Sequence, residues 1–217
     1  MGYIQKIREI TNKLHIPLII DEVQTVFGRT GKIFSFEHAG IEPDAFIISK
    51  AVGGGLPMSA VMYCNQYNTW KSGSHAGTNR GDQLAMIAGK ETLKVIKQAK
   101  FLKQVNENGE LMLSKLNAKL SKSELIGDIR GRGLMIGLEI DKRLNSDKRH
   151  NYSKSIKQIC FECGLIITGG RNSAVLRVLP PLNVTSSEIN HAVNILTNAI
   201  HTVEREMKKS EKITGVS

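Results

Sequence analysis

Two neighbouring segments near the start of the chain differ in their hydrophobic pattern. Apolar residues recur at helical spacing between Ile4 and Leu14, which predicts an amphipathic helix. Residues 17–20 then form a continuous apolar run that ends at Asp21, which predicts a buried strand. Strands that are apolar throughout are typical of parallel sheets covered on both faces, and ligands bind at their carboxyl ends. Asp21 is therefore predicted at the edge where chemistry is expected.

A second apolar strand leads to a lysine in the same way. Residues 45–48 are predicted as this strand, and it ends shortly before Lys50. A glycine-rich loop at residues 51–57 and a third predicted strand at residues 58–63 follow. The pattern therefore predicts that an aspartate and a lysine lie at the same kind of sheet edge.

The remainder of the chain changes texture near Ile126. Two long helices are predicted before this point, at residues 82–98 and 101–120, with Asp82 as the N-cap of the first. Beyond it, the pattern predicts short strands and Gly-rich turns at residues 129–133, 134–140, 165–168 and 175–179, and helices at residues 153–162 and 186–207. The polar tail after residue 207 is expected to fray.

This change of texture predicts two domains in an α/β protein. Residues 1–104 are predicted as part of a domain with a mostly parallel sheet, and residues 105–217 as a smaller α+β domain. A chain of 217 residues is long enough for each part to bury an apolar core.

Composition narrows the possible partners. Hydrophobic residues make up 41% of the chain and charged residues 23%, as in ordinary globular proteins. The net charge of +10 permits attraction to nucleic acid. The lysines of this chain, however, fall on predicted helix faces. Aromatic residues make up only 5% of the chain and do not interleave with these lysines. We therefore expect weak, nonspecific attraction to DNA and no specific nucleic-acid site.

Cysteine usage and the start of the chain favour a cytoplasmic protein. Three cysteines, with an amphipathic helix at the start rather than a targeting segment, predict a reducing compartment. Cys160 and Cys163 have the spacing of a metal or redox pair, but without a second pair we expect buried thiols rather than a zinc site. No apolar run approaches the roughly 20 residues that span a bilayer, so no membrane partner is expected.

Asp21 and Lys50 carry the chemistry that this edge predicts. A buried carboxylate at a strand end is costly unless a cation faces it, and a protonated pyridine nitrogen would serve. A lysine in a partly desolvated site becomes nucleophilic and can react with an aldehyde. Taken singly, each residue has a simpler interpretation, namely a capping or salt-bridged aspartate and a lysine that ends a strand to reach water. The glycines at residues 53–55 show no phosphate-loop pattern.

Several motifs in one order make the combination more specific than either residue. The motifs are Asp21-Glu-Val-Gln24, Ser49-Lys-Ala-Val-Gly-Gly-Gly-Leu-Pro57 and Gly77-Thr-Asn-Arg-Gly81, with further matches at residues 18–31, 36–44 and 176–182. Together they resemble the class III aminotransferases of the fold-type I pyridoxal-phosphate family. The resemblance implies part of that family's large domain, with its mostly parallel sheet, followed by a carboxyl-terminal α+β small domain.

The resemblance also implies pyridoxal 5'-phosphate as the cofactor and a role for each matching residue. Asp21 is similar to the aspartate that pairs with the pyridine nitrogen, Gln24 to the residue that contacts the phenolic oxygen, and Val23 to a further cofactor contact. Lys50 resembles the lysine that forms the Schiff base and shuttles the substrate proton. Thr78 resembles the threonine that reaches the cofactor phosphate of the neighbouring subunit, which implies a homodimer.

A substrate class follows from the same resemblance. Arg177 is similar to the arginine that clamps a substrate carboxylate with its planar fork. Residues 75–86 resemble most the diaminobutyrate:2-oxoglutarate aminotransferases, although Asn79 replaces an aromatic residue and Asp82 an amide. The implied reaction moves the distal amino group of 2,4-diaminobutyrate to 2-oxoglutarate, giving aspartate 4-semialdehyde and glutamate. The expected partners are thus an amino donor and a 2-oxo acid.

Other interpretations stay open. Class III enzymes acting on ornithine, acetylornithine or 4-aminobutyrate are the nearest, and a racemase or decarboxylase of the same fold is a more distant one. The family is about twice as long as this chain, which predicts a missing amino-terminal half, so an inactive fragment or a binding module is the alternative from another class. A dinucleotide-binding fold is disfavoured because the glycines at residues 53–55 precede a strand instead of opening a helix. Arg130 and Arg132 are assigned a structural role.

Overall fold

The computed structural model describes residues 2–77, 80–169 and 174–214, with side chains up to residue 209 in the last range. The helices are α1 (Tyr3–Lys13), α2 (Gln83–Ile96), α3 (Ala99–Leu120), α4 (Ser146–Glu162) and α5 (Ser186–Thr214), and the strands are β1 (Ile19–Asp21), β2 (Ala45–Ile48), β3 (Ala60–Tyr63), β4 (Ile126–Arg132), β5 (Met135–Ile140), β6 (Thr168–Gly169) and β7 (Val175–Val178). The chain divides into two compact units, residues 1–104 and residues 105–217.

The first unit is built on a three-stranded sheet of order β1-β2-β3. Strands β1 and β2 are parallel, with Ile19 opposite Ala45 and Asp21 opposite Ile47. Strand β3 returns antiparallel to β2, so that Val61 lies opposite Ile47. The sheet therefore contains one parallel and one antiparallel pair, and its parallel pair has the carboxyl edge that the sequence predicts.

A polar clamp attaches helix α1 to the start of both parallel strands. Oδ2 of Asp44, just before β2, accepts the N–H of Leu18 at 2.7 Å and Nη1 of Arg8 from α1 at 2.7 Å. The Leu18 N–H first, and then the Arg8 guanidinium, lower the pKa of Asp44 below its ordinary value. Because one carboxylate holds all three elements, it aligns β1 with β2.

An aromatic cluster holds the segment that follows β1 against β2. The rings of Phe34 and Phe36 stack at a centroid distance of 5.2 Å, and both contact Phe46 of β2, at 5.0 and 5.3 Å. Phe36 belongs to a helical turn, Ser35–Ala39. Such ring pairs add directional packing energy to the apolar burial, so they fix this turn relative to the sheet.

The second unit has a four-stranded antiparallel sheet of order β4-β5-β7-β6. The twelve largest fully buried side chains of the described residues all belong to this unit, among them Leu138 of β5, Ile156 of α4 and Ile200 of α5. Buried Asn108 of α3 donates from Nδ2 to the carbonyl of Val184 at 2.7 Å, just before α5 begins. Helices and sheet thus share one core.

The predicted mixed α/β fold class is confirmed. The predicted N-cap of α2 is confirmed as well, since Asp82 accepts the Ala85 N–H at 3.0 Å. Several boundaries in the second unit were wrong, and β4, for example, begins at Ile126 instead of residue 129. Helix α4 begins at Ser146 instead of residue 153, because Asn145 caps it and its first turns are too polar to show a period. Helix α5 continues to Thr214 instead of ending at residue 207. The strand expected at residues 165–168 is only Thr168–Gly169.

The prediction of buried thiols holds for only one member of the cysteine pair. Cys160 is buried, and burial first and the neighbouring Cys163 second raise its pKa to about 11. Cys163 is exposed because it is the C-cap of α4, where the helix turns away. Among the residues that the structure describes, no helix is long and apolar enough to cross a lipid bilayer.

Candidate functional site

Asp21 and Lys50 follow the two parallel strands to one edge of the sheet. Asp21 is the last residue of β1 and lies opposite Ile47 in β2. Pairing continues one step further, because the Glu22 N–H donates to the Ile47 carbonyl at 2.9 Å. Lys50 comes three residues after Ile47, just past the end of β2. The register therefore brings the predicted aspartate and lysine to the same carboxyl edge.

The Asp21 carboxylate is exposed at this edge, so the prediction that it is buried was wrong. Strand residues alternate between faces, and the side chain of Asp21 falls on the open face. Its Oδ1 accepts the Val23 N–H at 2.8 Å, which turns the chain away from the sheet. Among the described residues, no hydrogen bond or ion pair occupies the other carboxylate oxygen.

Glu22, which no sequence pattern singled out, is the buried carboxylate. Its side chain is 0% exposed. Oε1 accepts the Ser35 hydroxyl at 2.6 Å and the Phe36 N–H at 3.1 Å, and Oε2 accepts the Thr25 hydroxyl. The signal that could have found it is the alternation of a strand, which sends the residue next to an exposed Asp21 to the opposite side.

Val23 and Gln24 form the turn that follows. Val23 is partly buried and Gln24 is exposed. The carbonyl of Glu22 accepts the N–H groups of Thr25 at 3.2 Å and Val26 at 3.0 Å, which closes the turn around them. Both predicted cofactor contacts therefore stand on a hydrogen-bonded turn next to Asp21.

Lys50 is held in an unusual backbone conformation. Its φ of 55° lies in the left-handed region, which is uncommon for a residue with a Cβ. Ser49 before it is extended, and its hydroxyl donates to the Met58 carbonyl at 3.2 Å across the base of the loop. The side chain is exposed, so the expectation of partial desolvation was wrong for this chain: no part of the described structure covers it. No described residue pairs with its ammonium.

Helix α2 supports the loop that carries Lys50. The helical turn Lys50–Gly53 packs on α2 so closely that a Cβ at Gly89 would lie 2.1 Å from the Val52 carbonyl oxygen. A Cβ at Gly54, whose φ is 59°, would lie 2.7 Å from the Ala88 carbonyl oxygen. Only glycine permits this approach. Gly89 cannot be recognised from the sequence, because an isolated glycine inside a helical pattern carries no indication of what it touches.

The other predicted residues lie apart in the sequence. Arg177 is in β7, opposite Gly137 of β5 and Thr168 of β6, and its buried Nε has no hydrogen-bond partner in the described structure. Thr78 lies outside the described residues. Arg130 is exposed and pairs with Asp128 and, at 2.9 Å, with Glu139.

The free groups of the first unit fit the cofactor that the resemblance implies. Within the described structure one carboxylate oxygen of Asp21 is unpaired and can accept a hydrogen bond from a protonated ring nitrogen, and the Lys50 amine, also unpaired there, can react with an aldehyde. The described residues include no group of three or more His, Cys, Asp or Glu side chains arranged to hold a metal ion. The donor set thus suits an aromatic aldehyde with a basic ring nitrogen.

Comparison with known proteins gives concordant results. The family model of the class-III aminotransferases matches residues 1–200. Diaminobutyrate–2-oxoglutarate aminotransferase of Rhizobium meliloti is 38% identical over 212 residues, which are 94% of this chain and 45% of that protein. Acetylornithine aminotransferase of Bacillus cereus is 41% identical over 203 residues, 93% of this chain and 50% of that protein.

A solved structure shows the same fold at lower identity. The ornithine aminotransferase of Toxoplasma gondii superposes with a TM-score of 0.84 and 29% identity, over 95% of this chain and 48% of that one. That structure is described as having partial occupancy of pyridoxal phosphate at its active site. The chain spans about half the length of the relatives it matches.

Proposed function

Because the chain belongs to the class-III aminotransferase family, whose members depend on pyridoxal phosphate, we propose that it carries the cofactor-binding lysine and aspartate of such an enzyme. The observation that supports this most directly is the β1–β2 register. In this register Asp21 lies opposite Ile47, at the carboxyl edge of a parallel pair. Ile47 itself comes three residues before Lys50. This is the edge where open α/β sheets bind ligands.

Each side chain has a distinct task in this proposal. When bound, pyridoxal phosphate would supply an electron sink for the C–H bond broken at the carbon that bears the transferred amino group. Asp21 keeps the proton on the ring nitrogen through its free carboxylate oxygen, and Gln24 holds the phenolic oxygen. The Lys50 amine would hold the aldehyde carbon and would move the proton of the carbon that bears the transferred amino group. Arg177 binds a substrate carboxylate with its guanidinium, whose buried Nε has no hydrogen-bond partner among the described residues.

For the substrate, we propose transfer of the distal amino group of 2,4-diaminobutyrate to 2-oxoglutarate, with aspartate 4-semialdehyde and glutamate as products. Relatives named for this reaction occur in Rhizobium meliloti and Haemophilus influenzae, at 38% and 40% identity. The acetylornithine aminotransferase of Bacillus cereus is equally similar, at 41% identity. Acetylornithine and ornithine are therefore the competing amino donors.

The oligomeric state and the cellular compartment are also part of this proposal. We propose a homodimer in which Thr78 reaches the cofactor phosphate of the neighbouring subunit, acting in the cytoplasm on small molecules. Sedimentation of the purified chain at increasing concentration tests the dimer, and a monomer at every concentration would contradict it.

A second candidate function is a binding module without turnover. Two observations favour it: the chain spans about half the length of its relatives, and many apolar side chains of the first unit are exposed. We propose that these 217 residues alone turn over substrate poorly. Robust transamination by the purified chain would contradict that proposal.

Covalent capture of the cofactor tests the site. The chain is mixed with pyridoxal phosphate and reduced with borohydride, and labelled lysines are mapped by peptide mass spectrometry. We expect Lys50 to be labelled well above Lys97, which is also exposed. Asp21→Ala should reduce labelling of Lys50 about ten-fold, since one charge-assisted bond is lost, while Asp147→Ala at an exposed position should not. Equal labelling of Lys50 and Lys97 would overturn the proposal.

An amino-donor screen tests the substrate. Any turnover with 2-oxoglutarate is compared for diaminobutyrate, acetylornithine, ornithine and 4-aminobutyrate at equal concentrations. Preference for diaminobutyrate supports the proposed reaction, and preference for another donor assigns the chain to that branch of the family.

A further inference from the structure

Glu22 is a fully buried carboxylate directly beside the exposed Asp21, and the proposed chemistry does not use it. Burial of an ionisable group costs free energy unless hydrogen bonds offset it. Its two oxygens accept three protein donors: the hydroxyls of Ser35 and Thr25 and the N–H of Phe36. The backbone of Glu22 is also hydrogen-bonded. Its N–H donates to the carbonyl of Ile47, and its carbonyl accepts the N–H groups of Thr25 and Val26.

These contacts close a ring of interactions around the candidate site. From Glu22, one path runs through its carboxylate to Phe36, whose ring contacts Phe46 of β2 at 5.3 Å. The other runs from the Glu22 N–H to the carbonyl of Ile47, the residue after Phe46, at 2.9 Å. Both paths end on β2, the strand that leads to Lys50. The start of the Asp21 turn is therefore fixed at two points to the strand that positions the lysine.

We propose that Glu22 is a positioning residue: its buried carboxylate holds the turn that carries Asp21, Val23 and Gln24 in register with the end of β2. The role for cofactor binding rests on the proposed function, whereas the hold on the turn does not. A carboxylate suits this place because it only accepts hydrogen bonds, and all three side-chain partners donate. The Val23 N–H bond to Asp21 at 2.8 Å then orients the exposed carboxylate on the fixed turn.

The second unit offers a matched control. Glu204 of α5 is also buried, and its Oε1 accepts the Ser123 hydroxyl at 2.6 Å and the N–H groups of Glu124 and Leu125 at 2.7 and 3.1 Å. It resembles Glu22 in burial and in its hydroxyl and N–H donors, its Oε2 also pairs with Nδ1 of His201 at 3.0 Å, and it belongs to residues 105–217. A variant at Glu204 therefore reports the general cost of losing a buried carboxylate.

The test compares Glu22→Leu with Glu204→Leu in the full chain without cofactor, by hydrogen exchange resolved to single amides. Leucine keeps similar volume but removes both acceptors, which leaves buried donors unpaired. We expect exchange of the Val23, Thr25 and Val26 amides to rise roughly ten-fold or more in Glu22→Leu. Glu204→Leu should accelerate the Leu125 amide instead and leave the Asp21 turn unchanged. Glu22→Gln, which keeps one acceptor oxygen, should restore most of the protection.

A second readout is the dissociation constant of pyridoxal phosphate, followed by absorbance. We expect it to rise about ten-fold in Glu22→Leu and to be unchanged in Glu204→Leu. If Glu22→Leu does not fold, Ser35→Ala removes one donor and should produce a smaller change in the same amides. Equal acceleration of the Asp21 turn by both Leu variants, or none by Glu22→Leu, would overturn the inference. Failure of the unaltered chain to bind pyridoxal phosphate would overturn the proposed function, while the exchange data still decide the role of Glu22.

Discussion

At the scale of single residues, the candidate site depends on two adjacent carboxylates with opposite surroundings. Asp21 is exposed with one free oxygen, while Glu22 is buried and saturated with donors. Because successive side chains along a strand point to opposite faces, these neighbouring residues have different surroundings. Asp21 is available to a ligand, and Glu22 fixes the turn. This division explains why an exposed residue can still be held in a defined place.

The backbone at Lys50 provides a test that needs no cofactor. A left-handed conformation costs a residue with a Cβ on the order of 1 kcal/mol or more, and glycine avoids that cost. We predict that Lys50→Gly is more stable to urea than Lys50→Ala by about 1 kcal/mol. Lys97, whose φ is −68°, is the control: its backbone is not left-handed, so glycine should have no such advantage over alanine there. The same order at both positions would contradict the prediction.

Glu204 predicts a dependence of stability on pH. Burial alone would raise its pKa, but bonds from Ser123, His201 and the Leu125 and Glu124 N–H groups outweigh burial and lower it below its ordinary value of 4.5. A carboxyl with a lowered pKa in the folded state stabilises the fold above its unfolded-state pKa, and the effect is lost as the pH falls through the folded-state value.

We therefore expect the free energy of unfolding to decline below about pH 4.5, as Glu204 becomes protonated. Glu204→Gln should be less stable at neutral pH and should decline less steeply on acidification. Urea titrations at a series of pH values measure both effects. Parallel pH profiles for the variant and the unaltered chain would rule out this role.

At the scale of elements, helix α2 determines where the lysine loop lies. Gly89 brings the helix backbone against the Val52 carbonyl, and Gly54 does the same from the loop side against Ala88. Such close approach replaces side-chain contacts with backbone contacts, which leave little room for the loop to shift. The position of Lys50 is thus set by a helix that begins more than thirty residues later in the chain.

Gly89→Ala separates packing from helix propensity. In an unobstructed helix this change stabilises by about 1 kcal/mol. Here the new methyl group would lie 2.1 Å from a carbonyl oxygen, so we predict net destabilisation by about 1–3 kcal/mol. Denaturant unfolding measures the change, and borohydride capture at Lys50 should fall with it. A more stable Gly89→Ala chain would show that the loop is not held in this way.

At the scale of the whole molecule, apolar burial is distributed unequally. The twelve largest fully buried side chains of the described residues lie in residues 105–217. By contrast, fifteen of the seventeen large apolar side chains that are exposed in the described structure lie in residues 1–104, among them Ile19 and Val61 of the sheet and Leu84 and Ile87 of α2. The first unit therefore gains less from the hydrophobic effect than the second.

This asymmetry predicts that the two units differ in local stability. Amides in residues 105–217 should exchange only through openings of higher free energy. Amides in residues 1–104 should exchange through openings of lower free energy. Native-state hydrogen exchange at increasing denaturant measures the difference, and limited proteolysis should cut first within residues 1–104. Equal protection of both units would contradict this prediction.

Much of this protein follows from its amino-acid sequence alone. Within the described residues, periodicity predicted each of the five helices and the apolar strands that end near Asp21 and Lys50, since both patterns follow from local backbone geometry. The ordered motifs identified the family, because several specific segments together are far rarer than any one of them. The first turns of α4 were not predicted as helix, because their polar residues show no apolar period.

The contacts of each site residue, by contrast, depend on how the elements pack. Only the folded chain shows that Asp21 is exposed and Glu22 buried, that Lys50 has a left-handed backbone, and that Gly89 meets the Val52 carbonyl. These facts depend on contacts between segments distant in sequence, such as Glu22 with Phe36 and Val52 with Gly89. Local propensity carries no information about such contacts, since they arise only when elements pack together.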